Sequence, residues 1–294
     1  MHYSISDLEQ LSGVSTHNIR IWERRYNALQ PLRTSGNTRF YDDEQLKRLL
    51  NIAGLHNSGY KISTACAMGK DEIESVLQRE IDMTIVPEKR YEYYIAQIIS
   101  NSLAYHEQKV MQLITQSFLQ NGILETYKFV LYPLLVRVGL LWRNDTVCPS
   151  QEHFLSSIIR QKLYAVIDGF ETRATAESNW LLFLPEDEDH DIGLLLASYL
   201  LRSAGNKVIY LGPKVPFSAL SNTVYATHPE NLLFFMTRIR PVPDAKEYVD
   251  RLARNFPGTQ IYLSGNPKVL SEIPLPKGFH WLKDVREFEM IVKG

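Results

Sequence analysis

The stretch that decides the fold is Trp180–Leu211, WLLFLPEDEDHDIGLLLASYLLRSAGNKVIYL. It opens with an apolar run, Trp180–Leu184, of strand length and bounded by Pro185. Four acids follow, Glu186 to Asp189, and then His190. The apolar helical stretch Ile192–Ala204, with Gly193 at its start, leads to a second short run, Lys207–Leu211. Strand, loop, helix and strand in this order imply a parallel sheet with a crossover helix. A loop that follows a strand in such a sheet lies at the sheet's carboxyl edge, where open α/β folds bind ligands. His190 there offers an imidazole to a metal, and Glu188 is placed to accept the other ring N–H and fix the tautomer. Acids near a helix N-terminus are also favoured by the helix dipole, so a solvated acidic loop fits the same residues.

Working outward, Leu232–Met236 and Gln260–Leu263 read as further strands, separated by a helix over Asp244–Asn255. The α/β pattern thus fills the chain from Asn179 onward. Upstream, from about Pro87 to about Ala176, the pattern is long helices with few breakers: Arg90–Ile99, His106–Gln120, Ile123–Arg143 and Ser150–Arg173. Apolar residues recur there at three- and four-residue intervals. The first zone has shorter helical periods, broken by Gly13, Pro31, Gly36 and Gly59. The expected division is 1–78, 79–176 and 177–294. The expected folds are an all-α winged helix-turn-helix head, a four-helix bundle and a Rossmann-like, flavodoxin-like α/β domain.

A formal net charge of -1 means that nucleic-acid affinity must come from a local patch. Such a patch exists. Ser6 is read as the cap of a short helix, Asp7–Leu11, which Gly13 ends; Ser15 or Thr16 caps a second, His17–Tyr26. Two short helices across a tight turn form a helix-turn-helix, whose second member enters the major groove. Its polar face offers His17, Asn18, Arg20, Arg24 and Arg25, while Ile19, Ile21 and Trp22 supply packing. Arg33 and Arg39 then flank a Ser35-Gly36-Asn37 turn, a hairpin wing suited to phosphate or the minor groove. Exposed arginines on a helical hairpin are also common without DNA binding; the wing and the concentration of charge favour it here.

The two cysteines, Cys66 and Cys148, are far apart and lack metal-type spacing, which points to a reducing compartment. The opening residues carry no signal-peptide pattern. The most apolar window, Ile123–Trp142, is interrupted by Glu125, Lys128, Pro133 and Arg137 and is expected to be bundle core, not a membrane span. The expected location is the cytoplasm.

"SGVSTHNIRIWERRYNALQPLRTSGNTRFYDDEQLKRLLNI" closely resembles the N-terminal domain of MerR-family transcription regulators, over roughly Tyr3 to Met68. The resemblance implies double-stranded operator DNA as partner and a dimer or tetramer of this chain. It assigns Asn18, Arg20, Arg24 and Arg25 to the recognition helix, and Arg39 and Tyr41 to the wing beside Arg33. Asn37-Thr38 stands where many members carry a bulkier or basic residue. "EDHDIGLLLASYLLRSAGNKVIYLGPKVP" resembles the cobalamin-binding domain with its D/E-x-H-x-x-G signature. This implies His190 as the cobalt ligand, Glu188 as its partner and Gly193 as the motif glycine. Trp142, then nine residues, then Glu152-His153 resembles the bundle motif of CarH/LitR-type light-sensing regulators. There the bundle caps the corrin's upper face, with the tryptophan and glutamate against the adenosyl group, which implies adenosylcobalamin.

Three departures accompany these likenesses. The usual S-x-L after the third strand is Thr237 and Ile239, and the usual Gly-Gly is Ser264-Gly265. The histidine that follows the bundle tryptophan in light-sensing members is Arg143, which cannot ligate cobalt. The expectation is a non-enzymatic regulator, a repressor, whose oligomeric state and operator affinity respond to cobalamin, with light breaking the cobalt–carbon bond as one trigger that the resemblance allows. Two alternatives stand: a cobalamin-independent regulator that uses the C-terminal domain for protein contacts, and a methyltransferase or mutase module.

Overall fold

In the computed structural model, the backbone is described for residues 2–33, 37–57, 60–69, 72–73, 76, 87–142, 149–170 and 178–293. The side chains of 57, 87–89, 140–142 and 293 are excepted. The chain packs as two compact units, Met1–Lys162 and Leu163–Gly294.

The first unit holds the head and the long helices together. Helix α1, Ile5–Ser12, is capped by Ser4, not Ser6. Ser4 and Asp7 form a reciprocal capping box, each side chain taking the other's backbone N–H. Ser6 has the right chemistry but lies inside the first turn. Gly13 ends α1 with φ 71°, the left-handed cap conformation that glycine adopts without strain. Helix α2, Thr16–Tyr26, is capped by Ser15 and stops at Asn27 with φ 50°. Strands β1, Leu32–Arg33, and β2, Arg39–Phe40, pair antiparallel as the wing. Helices α3, Asp43–Asn57, and α4, Ile62–Ala67, complete the head. Leu8, Leu11, Ile19, Leu46, Leu49 and Leu50 are fully buried, each contributing about 1.5–3 kcal/mol. Trp22 is buried with them, whereas Ile21 is only partly covered.

Helices α5, Pro87–Leu103, and α6, Glu107–Asn121, form a hairpin, and α3 of the head packs along α5. The expected helix Ile123–Arg143 is a composite. It runs as α7, Ile123–Thr126, then a π-helical turn, Tyr127–Leu131, then α8, Tyr132–Trp142. Helix α9, Pro149–Asp168, follows.

The second unit is a five-stranded parallel sheet. Its elements are β3 (Asn179–Pro185), α10 (Ile192–Ser203), β4 (Lys207–Val215) and α11 (Phe217–Thr227). Then come β5 (Asn231–Met236), α12 (Val242–Asn255), β6 (Gln260–Gly265) and α13 (Pro267–Leu270). The last are β7 (Phe279–Trp281) and α14 (Val285–Lys293), which the sequence pattern did not disclose. The strand order β4-β3-β5-β6-β7 is the flavodoxin-like order. Trp180 to Pro185 are buried without interruption, as expected of a strand covered on both faces. Phe183 and Phe234 stack at 5.5 Å on the face covered by α11 and α12, while Trp180 meets Phe288 of α14 on the other. In this order the direction of winding across the sheet reverses between β3 and β5, and a crevice forms outside their carboxyl ends.

Candidate functional sites

The loops after β3 and β5 meet at that crevice through one carboxylate. Glu188 is fully buried. Its Oε2 accepts the backbone N–H groups of Thr237 at 2.7 Å and Arg238 at 2.8 Å, and Arg240 Nη2 lies at 3.4 Å. Its Oε1 accepts the backbone N–H of Asp189 and of His190, and it is also bonded to His190 Nδ1. Burial alone would raise the Glu188 pKa, but the His190 ring and these backbone donors outweigh it and hold the group at about 2. An ionised carboxylate only accepts, so Nδ1 must carry the proton and Nε2 is left for a ligand. The bond to Glu188 raises the His190 pKa, against the opposing effect of burial. The ring is 53% exposed, which is enough to be reached. Glu188, Asp189 and His190 also bring ligand atoms within 4.8 Å of one another.

The residues expected to contact a cofactor from the α/β side share this edge. Thr237 is exposed, and Ile239 is 69% exposed although apolar. Gly193 lies in the first turn of α10. Gly265 ends β6 at φ 145°, and a Cβ there would stand 2.1 Å from the Met236 carbonyl oxygen. The second glycine of the usual pair is therefore demanded by the backbone. Ser264, in the first place, donates its hydroxyl to Leu282 O at 2.7 Å, so its polar atom is satisfied within the domain.

Arg238 and Arg240 did not figure among the expected residues. Arg238 Nη1 donates to Asp187 O at 2.9 Å, and Arg240 Nη1 to Asp187 Oδ1 at 3.1 Å. The available signal was two arginines in "TRIRP" against four acids in the other loop.

In the bundle, Glu152 and His153 lie in the first turn of α9, with His153 Nδ1 3.4 Å from Glu152 Oε2. His153 is 77% exposed. Trp142 ends α8, and its side chain lies outside the described residues, as does all of Arg143.

The head presents a basic face. Asn18, Arg20, Arg24 and Arg25 of α2 are exposed, with His17. Arg33 and Arg39 are direct cross-strand partners in the wing. Like charges placed opposite each other repel, and an anion between them removes that cost. Arg33 Nη1 also holds Asn37 Oδ1 at 2.6 Å, where Asn37 takes φ 61°. Ser35 and Gly36 of the wing turn lie outside the described residues. Tyr41 differs from the expectation: its side chain is fully buried and its hydroxyl donates to Glu23 of α2. It fastens the wing to the second helix and does not face outward. Its backbone also pairs with Tyr3, at 2.7 and 2.9 Å.

The family described as MerR HTH family regulatory protein matches residues 3–68, and the family described as B12 binding domain matches residues 94–167. The chain joins a MerR helix-turn-helix to a B12-binding domain. Among curated proteins, the MerR head and B12 domain together are similar to the HTH-type transcriptional repressor CarH of Myxococcus xanthus, 28% identical over 90% of this chain and 88% of that protein. They are also similar to the HTH-type transcriptional repressor CarA of the same organism, 28% identical over 82% of this chain and 78% of that one. A monomethylamine corrinoid protein of Methanosarcina barkeri superposes with a TM-score of 0.52 at 16% identity, covering 66% of this chain and 94% of that chain. That likeness is one of fold.

Proposed function

We propose that the chain is a transcription repressor that binds operator DNA through its MerR head and takes cobalamin as its ligand. The observation that carries the cofactor assignment is the Glu188–His190 pair at the edge between β3 and β5. It turns Nδ1 toward Glu188 and leaves Nε2 as a nitrogen donor of the kind that would hold a cobalt ion. Exposed Ile239 offers apolar surface beside that edge, and Gly265 keeps the backbone close where a side chain would intrude.

When bound, the cofactor would supply a cobalt centre, and His190 would hold it through the ring nitrogen that Glu188 leaves outward. The chain's own residues do the rest. Glu188 orients His190, and Thr237, Arg238 and Arg240 hold Glu188. Trp142, Glu152 and His153 are assigned to the cofactor by the resemblance of this stretch to the light-sensing regulators' bundle motif, and the adenosyl form rests on the same resemblance. A dimer or tetramer in which ligand occupancy alters assembly would link the cofactor to operator affinity, because binding that favours one assembly shifts its population. Light lies outside this proposal, since Arg143 follows Trp142 and a guanidinium cannot take cobalt.

The test is a spectrum. The protein is incubated with adenosylcobalamin in the dark and desalted, and visible absorption is recorded beside His190→Ala. A corrin spectrum retained by the native protein, altered in the variant, supports ligation by His190. A colourless native protein sinks the cofactor assignment and leaves a DNA-binding protein with a C-terminal interaction domain.

A further inference from the structure

The head does not hang from a free tether in the first unit. Arg137 of α8 makes a two-pronged ion pair with Glu92 of α5, at 2.7 Å from Nη2 to Oε1 and 2.9 Å from Nη1 to Oε2. The turn between the two helices of the helix-turn-helix sits on that pair. A Cβ placed at Gly13 would stand 3.6 Å from Glu92 Oε2 and 3.7 Å from Arg137 Nη2. Two residues before Gly13, Leu11 of α1 faces a small cavity shared with Ile99 of α5, Val138 of α8, and Gln151 and Leu155 of α9. A third tie joins Gln97 of α5 to buried Asn51 of α3, with Nε2 to Oδ1 at 3.0 Å.

Helices α5 and α8 pack on α1, and α9 lines the cavity beneath Leu11; of these, α8 and α9 carry the residues assigned to the cofactor. Helix α8 bears Arg137 and Val138 and ends at Trp142. Helix α9 bears Gln151 and Leu155, interleaved with Glu152 and His153. Packed helices pass displacements on as rigid bodies. A shift of α8 or α9 therefore alters the seat of α1, and with it the placing of α2.

We infer that the Glu92–Arg137 ion pair is a coupling contact: it seats the DNA-reading head on the bundle and transmits cofactor occupancy to operator affinity. Glu92 and Arg137 are positioning residues. They act through Gly13 and α1, and neither belongs to the basic face. This inference rests on the repressor reading above and names how its two ends communicate.

The experiment uses the full chain as native protein, as Arg137→Met, and as the charge-exchanged pair Glu92→Arg with Arg137→Glu. Two readouts are taken: amide hydrogen exchange over residues 5–12, and operator affinity with and without adenosylcobalamin. In Arg137→Met, exchange in α1 should quicken, operator affinity should fall about ten-fold, and the cofactor-dependent ratio of affinities should collapse toward one. The exchanged pair should restore all three. A variant with native exchange in α1 and a native affinity ratio overturns the proposal. A native protein that binds operator indifferently to the cofactor also overturns the coupling. If the native protein binds no operator, the repressor reading fails by itself, and α1 exchange still decides whether the ion pair holds the head.

Discussion

Glu188 and Thr237 lie on different loops, yet Glu188 Oε2 accepts the Thr237 backbone N–H at 2.7 Å. The loop that bears the candidate cobalt ligand is thereby closed onto the loop after the neighbouring strand. The carboxylate that orients the histidine also joins β3 to β5 at their carboxyl ends.

Replacing Glu188 by Gln tests both duties. The amide keeps one acceptor oxygen but presents an NH2 group to donors that now have no acceptor. Hydrogen bonds to charged groups contribute about 1.5–3 kcal/mol, so the second unit should lose stability of that order. Chemical denaturation followed by tryptophan fluorescence measures it, since buried Trp180 lies on β3. Cofactor retention should fall in parallel.

Replacing His190 by Ala should separate the duties. The ring caps the buried Glu188 carboxylate, but the Thr237 and Arg238 N–H groups still hold it, so the second unit should stay folded at a cost of about 1.5–3 kcal/mol. Desalting after incubation with adenosylcobalamin should show much weaker retention. Native retention would remove His190 from the cofactor's coordination.

Arg24→Ala addresses the head. Arg24 is exposed on α2, and its Nε donates to Arg20 O at only 3.4 Å, so the fold should be indifferent to its loss. Operator affinity should fall by about 1–3 kcal/mol if the guanidinium reads a base edge. If it grips a phosphate instead, the salt dependence of binding should drop by about one unit of slope. Fluorescence anisotropy at several salt concentrations distinguishes the two.

Tyr41→Phe asks what the buried wing tyrosine does. The hydroxyl's bond to Glu23 is lost, at a cost of about 1 kcal/mol. The wing should then be less firmly held to α2, and operator affinity should weaken though no exposed residue has changed. Equal affinity would confine Tyr41 to core packing.

Gly265→Ala should be the most damaging of these changes. The new Cβ would overlap the Met236 carbonyl, and φ 145° is unfavourable for any side chain. Strain and overpacking each cost about 1–3 kcal/mol, so loss of the folded second unit on mild heating is expected.

The residues that could be read from sequence are those whose roles are local. The run Trp180–Leu184 had strand length, and the acidic loop with its histidine followed it directly. The Glu188–His190 pair is two residues apart, and backbone geometry nearly dictates it. Arg238 and Arg240 were not found because their partners lie across the sheet, and only the strand order brings the two loops together. Ser4 and Ser6 both carry a capping hydroxyl; Asp7 decides between them, because it completes the box only from Ser4. Tyr41 stands among exposed wing residues in the sequence, and its burial follows from the Tyr3 bridge, a long-range pairing.

The π-helical turn at Tyr127–Leu131 sets a rotational phase. There the Tyr132 N–H reaches back five residues to Tyr127 O, so the helix holds one residue more than an α-helical path requires. Each residue of an α-helix turns the chain by about 100°. Removing one residue from this turn would rotate Arg137, Val138 and Trp142 together by about that angle against the preceding helix. The spacing along the chain after the turn would be untouched, yet Arg137 would no longer point at Glu92. The azimuth at which α8 meets the head is therefore stored about two turns upstream of the contact, in residues outside the basic face and outside those assigned to the cofactor.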